Sequence, residues 1–249
     1  MILGFNIILL LALILPPLIY AVIIYLTSPV GSVSFRNGLL FMVGGIGSIS
    51  VLHLLWLLIP GLIPSFYEEP FEKFFFSVAP LEEMSKYLIF IFMMKTLNKN
   101  TVSEHPFRYM FYFSLVGLGF ALIENVIYVN TYGQEILYYR TFTSTIAHML
   151  FGMFFGYWIG LSTINQRKFH DRSVFGVLIG KNKILKTIIY TIVGFLTATL
   201  YHGLWNYNLS TSGEASNTIM FILVLAGLLA SKLLAKELNN SWRRRYTNS

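Results

Sequence analysis

The stretch "VAPLEEMSKYLIFIFMM", residues 78–94, decides the fold because it places three charged side chains inside an apolar run. Glu82, Glu83 and Lys86 stand in a segment that is otherwise apolar enough to enter a membrane. An acid or base at the centre of a transmembrane helix costs about 2.5–3.5 kcal/mol on insertion scales. These charged side chains therefore either lie at the end of a membrane span, in contact with water, or take part in chemistry inside the membrane.

The composition of the whole chain indicates a polytopic membrane protein. Of its 249 residues, 55% are hydrophobic and 12% are charged, and this charged fraction is about half that of ordinary soluble domains. The absence of cysteine excludes disulfides and thiolate metal ligands. We therefore expect an all-α fold that forms a single transmembrane domain over residues 1–249.

The lengths of the apolar runs predict about seven transmembrane helices, near residues 5–26, 38–59, 74–94, 107–130, 141–164, 184–207 and 216–234. Pro80 is expected to open the third helix, because proline is favoured in a first helical turn. The motifs described below fall within a core of about 74–207, and residues 235–249 form a basic tail.

The distribution of Lys and Arg predicts the orientation of the chain. With seven spans, one side of the membrane receives only Lys73 and Arg140. The opposite side receives Arg36, Lys95, Lys99, Arg108, Arg167, Lys168, Arg172, Lys181, Lys183, Lys186, Lys232, Lys236, Arg243, Arg244 and Arg245. The positive-inside rule then places the C-terminus in the cytoplasm and the N-terminus outside. It also accounts for the net charge of +7, so we expect the lipid bilayer as a partner and no nucleic acid.

This topology brings polar residues of four helices to one depth. The third and fifth helices enter from the outside, and the fourth and sixth end there. At a rise of about 1.5 Å per residue, Glu82, Glu124, His148 and His202 fall about 7–14 Å below the outer boundary. We predict that the functional site lies in this layer.

The residue types in this layer suit the activation of a water molecule. Glu124, His148 and His202 supply the Glu-His-His combination of a catalytic zinc site that keeps a position open for water. Glu82 or Glu83 could accept the proton of that water and return it to a leaving amine. Without a metal, a carboxylate and a histidine could still activate a water directly, and the residues favour neither chemistry.

Three more polar residues are assigned roles at the site. Asn206, one turn after His202, is expected to donate to the oxyanion of a tetrahedral intermediate. Lys86 is expected to pair with one carboxylate of the glutamate pair and leave the other free. Asn125 is a supporting residue of the type that forms hydrogen bonds between helices. Taken singly, Asn125 and Asn206 are more typical of hydrogen bonds between helices, and only the shared depth favours function.

In this order, the motifs resemble the PrsW family of intramembrane proteases, part of a superfamily with the CaaX-processing endopeptidases and the Aph subunit of γ-secretase. The matching residues are E-E-x-x-K at Glu82, Glu83 and Lys86, F-x-x-x-E-N at Phe120, Glu124 and Asn125, H-x-x-x-G at His148 and Gly152, and H-x-x-x-N at His202 and Asn206. The resemblance implies hydrolysis of a peptide bond in or beside the plasma membrane of a prokaryote, with the glutamate pair and the histidines as working residues.

The resemblance implies either a metalloprotease, as the PrsW family is classed, or a glutamate-type protease, as in the CaaX branch. That branch has a histidine where this chain has Glu124. The expected outer location of the site does not suit a prenylated cytoplasmic tail. A membrane-anchored protein with an extracytoplasmic segment, such as an anti-sigma factor, is the expected substrate.

Two other functions would use the same buried polar residues. A non-catalytic scaffold resembling the Aph subunit would use them to hold helices or a partner, and it is the principal alternative. A transporter or proton channel also places acids and histidines within the membrane. The chain contains no inverted repeat of the kind found in many transporters, so the protease is the preferred prediction.

Overall fold

The computed structural model describes residues 7–97, 105–165, 182–211, 213 and 216–247. Within these residues the regular secondary structure is helical and contains no strand, which confirms the predicted all-α fold. Five residues of the predicted cytoplasmic basic set lie outside the described residues: Lys99, Arg167, Lys168, Arg172 and Lys181.

Long helices dominate the described chain, and we number them α1 (Ile7–Thr27), α2 (Phe35–Leu58), α3 (Ala79–Leu97), α4 (Phe107–Tyr132), α5 (Ser144–Asn165), α6 (Lys183–Thr211) and α7 (Ser216–Thr247). Six candidate spans are long and apolar enough to cross a membrane: α1, α2, α4, α6, most of α7, and the segment Ile136–Ile164, which contains most of α5. Only α3, with its charged residues, falls outside that group. The predicted multi-pass architecture is therefore confirmed. The orientation of the termini stays a prediction.

Two helix boundaries differ from the sequence prediction. A break at Thr143 separates a short helix, Ile136–Phe142, from α5, so the fifth predicted span is two helices. Helix α7 continues to Thr247, so most of the predicted basic tail is helical. The helix ends were predicted only from where the apolar runs begin and end. Such runs do not reveal a break within an apolar segment or a helix that continues into polar residues.

Pro80 lies in the first turn of α3, as predicted, but α3 is not where the helical chain begins. The helical chain begins at Pro70 and continues through a wide π-helical turn, Lys73–Val78, into α3. At its end the Ala79 N–H donates to the Phe74 carbonyl, five residues back. Pro80 has no N–H to donate, and such wide turns accommodate interruptions of a regular ladder. The glutamate pair thus lies about three turns inside the helical segment.

Helices α4 and α5 form the centre of the fold and touch at backbone distance. A Cβ on Gly117 of α4 would lie 2.2 Å from the His148 carbonyl oxygen, and one on Gly152 of α5 would lie 2.5 Å from the Phe113 carbonyl oxygen. Small residues permit this approach between membrane helices. The contact at Gly117 fixes the height of His148 against α4.

Apolar side chains cover much of the outer surface. On α1, α6 and α7, Ile23, Leu200 and Leu229 are each more than half exposed. A surface of this kind is suited to lipid hydrocarbon, whereas large exposed apolar patches are rare on soluble monomers.

We predict that Gly117→Ala destabilises the chain by about 1–3 kcal/mol, because the added methyl group would meet a backbone carbonyl that cannot rotate away. Thermal unfolding in detergent micelles would measure the effect. Gly47→Ala on α2 is the matched control, since a Cβ there meets nothing within 4 Å, and it should be neutral or slightly stabilising. Equal effects of the two substitutions would contradict the proposed close contact.

Candidate active site

Lys86 distinguishes the two adjacent glutamates of α3. Its Nζ donates a hydrogen bond of 2.6 Å to Glu83 Oε1 and lies 4.0 Å from Glu82 Oε2. The side chains of Lys86 and Glu83 are fully buried, whereas that of Glu82 is 10% exposed. Lys86 is therefore paired with Glu83, and Glu82 is the glutamate at the open side of the pair.

His202 of α6 lies between the same two glutamates. Its Nδ1 is 2.9 Å from Glu83 Oε1, and its Nε2 is 3.6 Å from Glu82 Oε2. Because a carboxylate accepts, Nδ1 carries the proton, and Nε2 of the neutral ring keeps a lone pair. The ring of Phe151 stacks on the imidazole at a centroid distance of 4.5 Å. The hydrogen bond at the ring edge and the stacking of Phe151 on the ring face therefore fix the orientation of the His202 imidazole.

His148 of α5 is held by a second carboxylate. Its Nε2 lies 2.9 Å from Glu124 Oε2, and its Nδ1 lies 3.0 Å from Lys86 Nζ. An ammonium group only donates, so Nδ1 accepts from Lys86 and the Nε2 proton is donated to Glu124. His148 and His202 therefore each donate one N–H to a carboxylate and keep the other nitrogen as an acceptor.

These bonds join side chains of α3, α4, α5 and α6 into one network. The rings of His148 and His202 are 5.1 Å apart at their centroids, in edge-to-face orientation. The Lys86 Nζ also lies 4.2 Å from the centroid of the Phe120 ring, where a cation is attracted to the aromatic face. In these apolar surroundings each charged hydrogen bond is stronger than it would be in water.

The geometry supports a divalent metal site at Glu82, His148 and His202. Each of these residues has a potential ligand atom, and the three atoms lie within 4.8 Å of one another. For His148 that atom would be Nδ1, which would have to give up its hydrogen bond from Lys86 to bind a metal. Glu82 Oε2 and His202 Nε2 are 3.6 Å apart. In a tetrahedral zinc site with bonds of about 2.0–2.1 Å, two ligand atoms are separated by about 3.4 Å, which is a similar distance.

Two carboxylate oxygens give an independent indication of a missing partner. Oε2 of Glu82 and Oε2 of Glu83 are buried without a hydrogen-bond partner among the described residues. Buried acceptors are normally satisfied by protein, water or an ion. The donor set therefore fits a metal ion, with Glu83 and Glu124 behind the histidines as the supporting carboxylates usual for such ligands.

The structure groups the predicted residues differently from the sequence-based ligand set of Glu124, His148 and His202. Glu82 joins the two histidines, while Glu124 Oε2 accepts from His148 and, at 2.6 Å, from Arg140 Nη2. Asn125 lies in the same network, where its Nδ2 donates to Thr145 Oγ1. A carboxylate shared with Arg140 has less free capacity to bind a metal.

Asn206 lies one turn after His202, as its spacing predicts, and is partly buried. The structure places no other site residue within hydrogen-bond distance of its side chain among the residues described. Its assignment as an oxyanion donor stays a prediction.

Arg140 is the site residue that the sequence reasoning missed. It lies on the short helix Ile136–Phe142 and is only 8% exposed. The sequence offered one signal, since Arg140 and Lys73 were the only basic residues assigned to the outer side. This observation predicted the side of the membrane on which Arg140 lies, but it did not predict that Arg140 binds Glu124.

Comparison with known proteins agrees with the resemblance seen in the motifs. Residues 33–231 match the family described as PrsW family intramembrane metalloprotease. A protein named Protease PrsW from Oceanobacillus iheyensis is 28% identical over 175 residues, covering 70% of this chain and 72% of the relative. Another of that name, from Shouchella clausii, is 26% identical over 193 residues, covering 77% and 80%.

No solved structure matches the chain. The family match nevertheless spans all four motifs and all the helices that contribute to the site. The chain belongs to the PrsW family of intramembrane metalloproteases and is a multi-pass membrane peptidase.

Proposed function

We propose that this peptidase cleaves a membrane-anchored protein near the extracytoplasmic side, using a water activated between Glu82, His148 and His202. One observation carries the proposal. The unpartnered Oε2 of Glu82 lies 3.6 Å from the lone-pair nitrogen of His202, at the partly exposed edge of an otherwise buried charge network. A water or ion between these two acceptors would satisfy both of them.

Glu83 is suited to move the proton of the attacking water. Its Oε1 accepts from both Lys86 and His202, which fixes the carboxylate, and its Oε2 has no hydrogen-bond partner among the described residues. A fixed carboxylate with one free oxygen can accept a proton and return it to the leaving amine. Lys86 therefore acts as a support that holds Glu83 in place.

A zinc ion held by Glu82, His148 and His202 would supply Lewis acidity to the attacking water and to the scissile carbonyl. In this arrangement Glu124 supports His148 from behind, as Glu83 supports His202. In a metal-free reaction, Glu82 itself would accept the proton of the water. The buried unpartnered oxygens are compatible with both forms, and the family description as a metalloprotease favours the metal-dependent one.

The proposed substrate is a membrane protein with an extracytoplasmic segment, and an anti-sigma factor is one candidate. This proposal rests on the orientation predicted from the basic residues, which puts the site in the outer half of the membrane. The side chains of Glu82 and Glu124 are 10% and 15% exposed, so the peptide would approach from their side of the network. Asn206 is proposed as the donor to the oxyanion.

We predict that Glu82→Gln and Glu83→Gln each lower the rate of cleavage of a co-expressed membrane substrate by at least about 100-fold. The first removes a proposed metal ligand and the second removes the proposed general base. The rate would be followed by gel analysis of a tagged substrate. Glu135→Gln is the control, since Glu135 is exposed and takes part in none of the hydrogen bonds or ion pairs described for the site. Undiminished cleavage in the double variant would exclude the proposed mechanism and favour a scaffold.

We predict about one zinc ion per purified chain, lost in Glu82→Gln, His148→Gln and His202→Gln. His53→Gln is the matched control, because His53 is exposed and its Nδ1 donates to the Ile49 carbonyl oxygen at 2.8 Å. Elemental analysis of the purified protein would measure the zinc. A wild-type chain without metal that still cleaves its substrate would support the metal-free reaction at Glu82.

Glu124→Gln separates the two ligand sets. If Glu124 only supports His148, the variant should retain the metal with an affinity about 10- to 100-fold weaker. Competition with a chelator of known affinity would measure this. Complete loss of zinc in Glu124→Gln, with retention in Glu82→Gln, would instead support the ligand set expected from the sequence.

A further inference from the structure

We infer that Arg140 is a positioning residue that acts through Glu124 to fix the orientation and tautomer of His148. The inference rests on the proposed function for the part that His148 plays in catalysis. Arg140 itself lies one residue further from the reacting atoms, since Glu124 stands between it and His148.

Glu124 Oε2 is shared between Arg140 and His148. Arg140 Nη2 donates to this oxygen at 2.6 Å, and His148 Nε2 donates to it at 2.9 Å. As long as Glu124 stays in place, the proton of His148 is held on Nε2 and the lone pair of Nδ1 faces Lys86. Arg140 is the only cation of fixed charge that bonds to Glu124 among the described contacts, so it determines where this carboxylate points.

The shape of the guanidinium suits this task. While Nη2 bonds to Glu124, Nε donates to Asn125 Oδ1 at 2.8 Å, and the group lies 3.7 Å from the centroid of the Tyr128 ring. The two hydrogen bonds made by Nη2 and Nε, together with the contact between the guanidinium face and the Tyr128 ring, fix the position of the Arg140 side chain. A lysine ammonium could supply the charge but not this fork.

The backbone of Arg140 ties the same network to the start of α5. Thr145 Oγ1 donates to the Arg140 carbonyl at 3.2 Å and accepts from Asn125 Nδ2 at 2.9 Å. Thr145 precedes His148 by three residues, so it lies on the same side of α5. Arg140 therefore contacts both the carboxylate that binds His148 and the helical turn that carries it.

A purely structural role would make Arg140 one of several contacts that hold the short helix. Tyr20 provides a control for this alternative, since its hydroxyl donates to the Thr141 carbonyl at 3.4 Å and ties the same helix to α1. Tyr20→Phe removes that tie without touching Glu124. It should change the rate of cleavage by no more than about twofold.

The first test compares Arg140→Met, Arg140→Lys, Glu124→Gln and the double variant Arg140→Met/Glu124→Gln. Arg140→Met should lower kcat about 10- to 100-fold with little change in KM, as loss of a supporting group behind a ligand does. Arg140→Lys should restore part of the rate. The double variant should be no slower than Glu124→Gln, because the Arg140 side chain reaches His148 through Glu124 and the bond from Thr145 goes to the Arg140 backbone, which the substitution retains. Multiplying effects in the double variant would overturn the inference.

The second test does not depend on proteolysis. Protein labelled with ¹⁵N-histidine, with His148 assigned by its loss in His148→Gln, should show a protonated Nε2 in the wild type. In Arg140→Met this signal should shift or broaden, whereas in Tyr20→Phe it should not. An unchanged His148 spectrum in Arg140→Met would overturn the inference. A wild-type chain without turnover would refute the proposed function, and the ¹⁵N spectrum would still decide the role of Arg140.

Discussion

The site depends on one buried ion pair, the 2.6 Å contact between Lys86 and Glu83 on α3. Neither side chain reaches solvent, and an unpaired charge in such a place would be strongly destabilising. The same two groups also bind the histidines, since Lys86 contacts His148 and Glu83 contacts His202. Lys86 and Glu83 therefore neutralise each other's charge and also hold the two imidazole rings in position.

The close contact between α4 and α5 gives this pair its surroundings. Because Gly117 lets the backbone of α5 approach at His148, the short carboxylate arm of Glu124 can reach the imidazole from α4. Each histidine then has one nitrogen bonded to a carboxylate, while the second nitrogen of His148 accepts from Lys86 and that of His202 faces Glu82. The shared feature, an imidazole N–H bonded to a carboxylate, is the usual second-shell support of a histidine metal ligand.

The sequence predicted which residues come together at the site but not all of their pairings. Apolar run lengths and rise per residue brought Glu82, Glu124, His148 and His202 to one layer, because both quantities are local. Whether Glu82 or Glu124 joins the histidines depends on the rotation of each helix and on Arg140, which lies on a separate short helix. The rotation of a helix about its axis and the hydrogen-bond partner of each side chain are determined by tertiary packing. The spacing of residues along the chain does not report either of them.

The wide turn at Lys73–Val78 has a further consequence for α3. A π-turn accommodates about one residue more than the regular helix would, and one residue corresponds to about 100° of rotation. The azimuth of Glu82, Glu83 and Lys86 around α3 is therefore set by a register step located upstream of them. Whether these three charges face the other helices or the lipid is decided by a segment that contains none of them.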